Sequence, residues 1–97
     1  MTILLQHVEK WNKTETSWHQ LAIILYELGD LSKAIVYRER YPEDRIAWNG
    51  EAKCAISDLI AQCIVICERE GWDYEEMRQL GIERMIEKIT RHLENNE

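Results

Sequence analysis

Apolar side chains recur every three or four residues along most of this 97-residue chain, and this spacing is typical of helices with one apolar face. No segment alternates apolar and polar residues convincingly with the period of two that a half-buried strand shows. Only one proline and four glycines are present to interrupt the pattern. The sequence therefore predicts an all-α fold, and its length fits a single helical domain over residues 1–97.

The breaks in the pattern predict four helices. The first covers residues 3–11. The second begins near Ser17, where serine followed three residues later by Gln20 has the form of a capping box. We expect the second helix to end near Arg40, because Pro42 disfavours helical geometry in the residue before it.

The third helix is predicted over about residues 51–70, after a polar connection within which a helical turn can form. Its wide apolar face predicts deep burial. Gly71 fits the left-handed residue that ends such a helix, and Asp73 is placed to cap the fourth helix. The fourth helix is expected to fray after His92.

Composition narrows the classes of function. The net charge of −6 argues against sequence-independent binding to a nucleic-acid polymer, which needs clustered Lys and Arg. No apolar run approaches the ~20 residues that span a membrane, and the first five residues lack the pattern of a signal peptide.

The three cysteines, Cys54, Cys63 and Cys67, are odd in number and lack zinc-like spacing. We therefore expect buried free thiols in a soluble cytoplasmic protein.

Acidic residues interrupt the most apolar parts of two predicted helices. Glu27 and Asp30 are three residues apart, so they project from one helical face and can converge on one cation. Asp58 lies in the apolar centre of the next helix, and Glu51 lies seven residues earlier on the same side. Buried carboxylates need compensation, and a hard cation such as Mg²⁺ prefers oxygen ligands. The pattern therefore predicts metal binding between the two helices.

A second interpretation of the same acids stays open. Carboxylates at the polar edge of each apolar stripe would pair with nearby cations, for which Lys33, Arg38 and Lys53 are the candidates. Gly29 lies between Glu27 and Asp30, and glycine inside a helix costs about 0.8–1.0 kcal/mol relative to alanine. It therefore predicts close approach by a neighbouring helix or a ligand at this point.

The order of these features resembles the MazG-like superfamily of all-α nucleoside-triphosphate pyrophosphohydrolases. The segment Tyr26-Glu27-Leu28-Gly29-Asp30-Leu31 resembles the Glu-Glu-x-Gly-Glu-Leu core of that family. The family pairs Glu-x-x-Glu on one helix with Glu-x-x-Asp on the next, and both hold Mg²⁺. Similar features also surround this core, namely Trp18-His19-Gln20 before it and, near the end of the chain, residues 71–76 and 88–91. The resemblance covers nearly the whole chain.

The resemblance implies roles for single residues. Glu27, Asp30 and Asp58 match catalytic metal ligands, whereas Ala55 stands where the family has Glu. Glu51 is the candidate to replace that Glu, but seven residues of helix rise by ~10.5 Å. We therefore expect Glu51 to bind a second ion or a bridging water and not the ion that Asp58 holds. The basic residues Lys88 and Arg91 correspond to phosphate contacts, or simply stabilise a helix C-terminus. Trp18 stacks on the base, or caps the core.

The implied activity is Mg²⁺- or Mn²⁺-dependent hydrolysis of a nucleoside triphosphate, or its deoxy form, to the monophosphate and pyrophosphate. The resemblance also implies a homodimer or tetramer in which helices of two chains complete a four-helix bundle. Two alternatives remain. Ala55 is consistent with a family member that binds nucleotide without turnover, and the high apolar content fits a helical protein-interaction module.

Overall fold

The structure, a computed structural model, describes residues 17–96 together with Leu4, Gln6, His7 and Lys10. Residues 17–96 form three long helices and one short 3-10 turn without any strand, and the four separate residues are helical as well, which confirms the predicted all-α class. The helices are α1 (Ser17–Arg40), α2 (Arg45–Glu70) and α3 (Tyr74–Asn95), and the 3-10 turn covers Pro42–Asp44. The predicted helix over residues 3–11 lies for the most part outside the described residues.

Helices α1 and α2 form an antiparallel hairpin. At its open end, the Ser17 hydroxyl donates to Glu70 Oε1 at 2.6 Å. At its closed end, Arg38 Nη1 donates to Asn49 Oδ1 at 3.1 Å. The turn between the helices is short because Pro42 stops α1 and then occupies the first position of the 3-10 turn. The hairpin therefore fixes which residues of α1 and α2 face each other.

Helix α2 begins at Arg45, six residues earlier than the sequence predicted. The polar connection is therefore confined to residues 41–44. Contacts with α1 support the additional helical residues, because the rings of Tyr37 and Trp48 meet edge to face with centroids 5.0 Å apart. Such a contact depends on the tertiary fold and has no signal in the local sequence.

Local signals at the other helix ends are confirmed. Gly71 adopts φ 76° and ends α2, and the Trp72 N–H donates to the Cys67 carbonyl at 2.8 Å, which is the Schellman arrangement. Asp73 Oδ1 accepts from the Glu76 N–H at 2.9 Å and so caps α3. Helix α3 continues to Asn95, three residues beyond the predicted end.

The capping box predicted at Ser17 is wrong. The Ser17 hydroxyl donates to Glu70 on α2, and the Gln20 side chain does not reach back to the Ser17 N–H. Gln20 is 0% exposed, and neither side-chain amide atom has a hydrogen-bond partner in the described part of the chain. The two side chains therefore do not form the reciprocal interaction that a capping box requires.

The core of the described hairpin consists of small side chains. Its buried apolar residues are Ala34, Ala52, Ala55, Val65 and Cys67. The deep burial predicted for the whole apolar face of α2 is therefore wrong, because Ile56, Ile60 and Cys63 are exposed. Cys54 is exposed as well, so only one of the three predicted buried thiols is buried. The reason is that α1 covers one side of α2, and Ile56, Ile60 and Cys63 lie away from that contact in the part of the chain that the structure describes.

Helix α3 extends from the end of the hairpin. Among the described helices it contacts α2 and not α1, and the chain measures 47 × 40 × 19 Å. Its apolar stripe is exposed, and consists of Ile82, Ile86, Ile89 and Leu93. No helix in the described ranges combines the length and the apolar character needed to cross a membrane.

Candidate metal centre

A cavity of about 220 Å³ lies between α1 and α2 near the middle of the hairpin. Its walls contain all four carboxylates that the sequence predicted as metal ligands: Glu27, Asp30, Glu51 and Asp58. The remaining lining residues are Lys33, Ala34, Trp48, Cys54 and Ala55. On each helix the lining residues are three or four positions apart, so they lie on one face. The antiparallel pairing of the two helices brings these two faces together.

Small residues let the two helices approach each other beside the carboxylates. Ala34 on α1 and Ala55 on α2 are both buried and both line the cavity. Larger side chains there would fill the space or force the helices apart. The close approach places the acids of α1 opposite those of α2 across one cavity.

The environment of Glu27 disfavours its ionised form. It is half-buried, and its pKa is raised from 4.5 by burial, by the charge of Asp58 and by the charge of Asp30. Burial disfavours the ionised form, and nearby negative charges do the same. A cation bound in the cavity would reverse both effects, so the electrostatics favour a positively charged ligand.

The prediction that Asp58 is buried is wrong, since Asp58, Asp30 and Glu51 are all exposed to solvent in this chain. The cost of burying a carboxylate therefore does not argue for a role of Asp58. The argument rests instead on its position, because Asp58 shares a cavity with three other acids.

The alternative of simple ion pairs is not supported by the described contacts. Arg38 donates to Glu39 and Asn49, each at 3.1 Å. The Lys33 ammonium lies over aromatic rings, 5.6 Å from the Tyr37 centroid and 5.9 Å from that of Trp48. Within the described residues, no cation forms an ion pair with any of the four cavity carboxylates.

The donor set fits a hydrated hard cation. The four acids line one cavity, but in the described ranges no three His, Cys, Asp or Glu side chains are close enough together to form a complete set of metal ligands. Mg²⁺ does not need one, because it commonly binds through one or two carboxylates and keeps several waters. The cavity offers carboxylate oxygens from both helices and room for such waters. Glu27, Asp30 and Asp58, with Glu51, are therefore the residues that would hold it.

The predicted substrate contacts are not brought into this cavity. Lys88 lines a groove on α3 with Met77 and Leu80, and Arg91 on the same helix pairs with Glu87. Neither lines the cavity between α1 and α2. The side chain of Trp18 lies outside the described residues, so its predicted contact with a base stays a prediction.

Three cavity residues were missed by sequence reasoning. Lys33 was interpreted as an ion-pair partner and Cys54 as a buried thiol, whereas Trp48 was given no place in the site. The signal was their spacing, since Lys33 follows Asp30 by three positions and Trp48 precedes Glu51 by three.

The close approach predicted at Gly29 does not occur within the described part of the chain. A β-carbon added at this glycine would have no described atom within 4 Å, apart from its chain neighbours and the backbone of its own helix. Packing between α1 and α2 therefore does not explain the glycine.

Comparison of the chain with protein-family models, with curated proteins and with solved structures gives no match.

Proposed function

We propose that this chain is a Mg²⁺-dependent nucleoside-triphosphate pyrophosphohydrolase that converts a nucleoside or deoxynucleoside triphosphate to the monophosphate and pyrophosphate. The observation that carries the proposal is the cavity in which Glu27 and Asp30 on α1 meet Asp58 and Glu51 on α2. The order and spacing of these residues resemble those of the MazG-like superfamily, although Ala55 stands where that family has Glu.

The carboxylates have distinct tasks in this proposal. Glu27, Asp30 and Asp58 hold Mg²⁺ or Mn²⁺, and Glu51, about two helical turns before Asp58, binds a second ion or a bridging water. When bound, the metal neutralises the triphosphate, activates water and stabilises charge on the leaving group. The raised pKa of Glu27 supports this assignment, because burial and the charges of Asp58 and Asp30 disfavour its ionised form and a cation would favour it.

The proposal includes a second copy of the chain. Lys88 and Arg91 lie on α3, which makes no contact with α1 in the described residues, so they would reach the phosphates of another copy's cavity. The exposed apolar stripe of α3 and the uncovered side of α2 would be buried in such a homodimer or tetramer. Two hairpins packed together would also form the four-helix bundle.

A second candidate function is a member of the same fold that binds nucleotide or protein without turnover. Ala55 favours it, since this side chain lines the cavity, is 5% exposed and offers no oxygen to a metal. Metal binding with no hydrolysis would select this candidate over the first. Absence of both, from folded protein, would select a helical interaction module.

The deciding experiment measures pyrophosphate release from a panel of nucleoside and deoxynucleoside triphosphates with Mg²⁺, Mn²⁺ or EDTA. We expect release that requires a divalent ion, falls in Asp58→Asn by about 100-fold or more, and is unchanged in Asp44→Asn. Asp44 is a matched control because it is exposed in the 3-10 turn and does not line the cavity. Equal activity of the two variants would mean that the centre lies elsewhere.

A further inference from the structure

The cavity between α1 and α2 contains one feature that the acidic residues leave unexplained. Lys33 is the basic residue among its lining side chains, and it shares the cavity with four carboxylates. Its ammonium group nevertheless lies over the rings of Tyr37 and Trp48, 5.6 and 5.9 Å from their centroids. Both distances are within the range of a cation–π interaction.

The two rings form a fixed support for this ammonium group. Tyr37 and Trp48 meet edge to face at an angle of 89°, and both are half-buried between α1 and α2. Tyr41 adds a further edge-to-face contact to Tyr37, with centroids 5.4 Å apart. A cation–π contact at an exposed site is weak compared with a charge-assisted hydrogen bond to a phosphate oxygen. The ammonium group therefore lies beside the cavity and forms no ion pair with a cavity carboxylate within the described residues.

The cavity therefore contains side chains of both charges. Its carboxylates suit a cation, whereas the Lys33 ammonium group, which shares the cavity with them, suits an anion. A polyphosphate bound through a divalent ion keeps negative charge on oxygens that do not contact the ion. Those oxygens need a hydrogen-bond donor from the protein. Lys33 lies three residues after Asp30 on the same helix, so it can contact an oxygen of a phosphate held by the ion.

We infer that Lys33 is a phosphate-binding residue of this cavity, which turns from Tyr37 and Trp48 to a polyphosphate that enters with its divalent cation. The inference rests on the proposed function for the identity of the substrate, and it names a residue that contacts the phosphate directly. The carboxylates bind the metal, and Lys33 binds the anion.

The experiment compares two titrations by calorimetry: Mn²⁺ alone, and inorganic pyrophosphate in the presence of Mg²⁺. The variants are Lys33→Met and Lys33→Arg, and Lys53→Met is the matched control because Lys53 is exposed on α2 and does not line the cavity. Loss of one charge-assisted contact corresponds to about a 10- to 100-fold weaker binding of pyrophosphate by Lys33→Met. We expect Mn²⁺ affinity to be kept or raised in that variant, since it loses a positive charge near the metal. Lys33→Arg should retain most of the pyrophosphate affinity.

The outcomes separate this inference from the proposed activity. In one outcome the wild-type protein binds pyrophosphate through Lys33 but does not hydrolyse nucleoside triphosphates. This result supports the inference and contradicts the proposed activity. Hydrolysis by the wild type, with equal pyrophosphate affinity in Lys33→Met and Lys53→Met, overturns the inference and leaves the activity standing. A parallel loss of Mn²⁺ and pyrophosphate binding in Lys33→Met also overturns it, because the residue then acts on the structure of the site. Absence of pyrophosphate binding by the wild type overturns it as well.

Discussion

Glu27 on α1 and Asp58 on α2 line the same cavity, and the pKa of Glu27 is raised by burial and by the negative charge of Asp58. The hairpin thus contains an unfavourable interaction between ionised carboxylates. Natural proteins accept such a cost where the same groups are needed for binding or catalysis. Removing the charge of Glu27 should therefore raise the stability of the metal-free protein and weaken its binding of metal.

The first prediction is that Glu27→Gln stabilises the metal-free protein while it abolishes Mg²⁺ binding. Like charges one helical turn apart destabilise by roughly 0.2–0.5 kcal/mol, so the free energy of unfolding should rise by about that amount at pH 8. Urea denaturation with EDTA measures the change, and Mg²⁺ titration measures the loss of binding. Glu43→Gln, in the 3-10 turn, is the control and should change neither.

The pH dependence of this effect has a defined sign. A raised pKa means that ionisation of Glu27 costs more in the folded state than in the unfolded chain. The penalty is absent below the ordinary value of 4.5 and is complete above the raised folded-state value. The stability difference between Glu27→Gln and the wild type should therefore vanish at low pH and grow as the pH rises. A difference independent of pH would attribute the effect to packing.

The second prediction concerns Ala55, which lines the cavity at 5% exposure. Ala55→Glu adds a carboxylate to an already acidic wall, so we expect a loss of about 1–3 kcal/mol of stability without metal. Mg²⁺ should restore much of this loss and raise the melting temperature more than it does for the wild type. Ala52→Glu is the matched control, because Ala52 is equally buried on α2 but does not line the cavity. Rescue of both variants by Mg²⁺ would contradict the proposed position of the site.

The third prediction uses the thiols as reporters. Cys54 is exposed and lines the cavity, Cys63 is exposed elsewhere on α2, and Cys67 is buried with a pKa raised by burial, by Cys63 and by Asp73. Alkylation with iodoacetamide, followed by peptide mass spectrometry, should modify Cys67 most slowly, because thiolate is the reactive form. Mg²⁺ with pyrophosphate should slow the reaction of Cys54 and leave that of Cys63 unchanged. Equal protection of both would point to a general change in the protein.

Much of the architecture follows from signals within a few residues of the point concerned. Pro42 predicts the end of α1, Gly71 the end of α2 and Asp73 the start of α3, because each acts through its own backbone or cap. The four carboxylates were likewise predicted from helical spacing. Such features need no knowledge of which helices meet.

Features that depend on the pairing of helices were missed. The early start of α2 and the role of Lys33 both depend on Trp48 meeting Tyr37 across the hairpin, and periodicity does not specify that pairing. The exposure of Asp58 was missed for a related reason, since an apolar stripe predicts burial without saying whether the covering surface belongs to the same chain. Local sequence therefore predicted the elements and the acids, and tertiary contacts determined the rest.

The fourth prediction concerns the closed end of the hairpin. Hydrogen bonds from Arg45 and Arg38 to the Glu39 carboxylate lower its pKa, with N–O distances of 3.3 and 3.1 Å. A lowered pKa contributes stability above the ordinary value of 4.5, and that contribution is lost as the pH falls through the folded-state value. Glu39→Gln should therefore destabilise the protein slightly at neutral pH, with no effect in strong acid. The sign is opposite to that for Glu27→Gln, so thermal melts of both variants over one pH series test the two assignments together.

The last prediction concerns the exposed stripe of α3. Ile86 is 59% exposed between Ile82 and Ile89, and an apolar stripe of this kind suits burial against a second copy. Burying one such side chain contributes about 1.5–3 kcal/mol, so Ile86→Lys should weaken self-association by roughly 10- to 100-fold. Analytical ultracentrifugation over a range of concentrations measures the change. Asn95→Lys, an exposed polar position near the end of the same helix, should leave the mass unaltered.

If Lys88 and Arg91 act on the cavity of another copy, hydrolysis should fall together with the fraction of dimer. A wild-type protein that is monomeric and fully active at every concentration would show that the site needs no second chain.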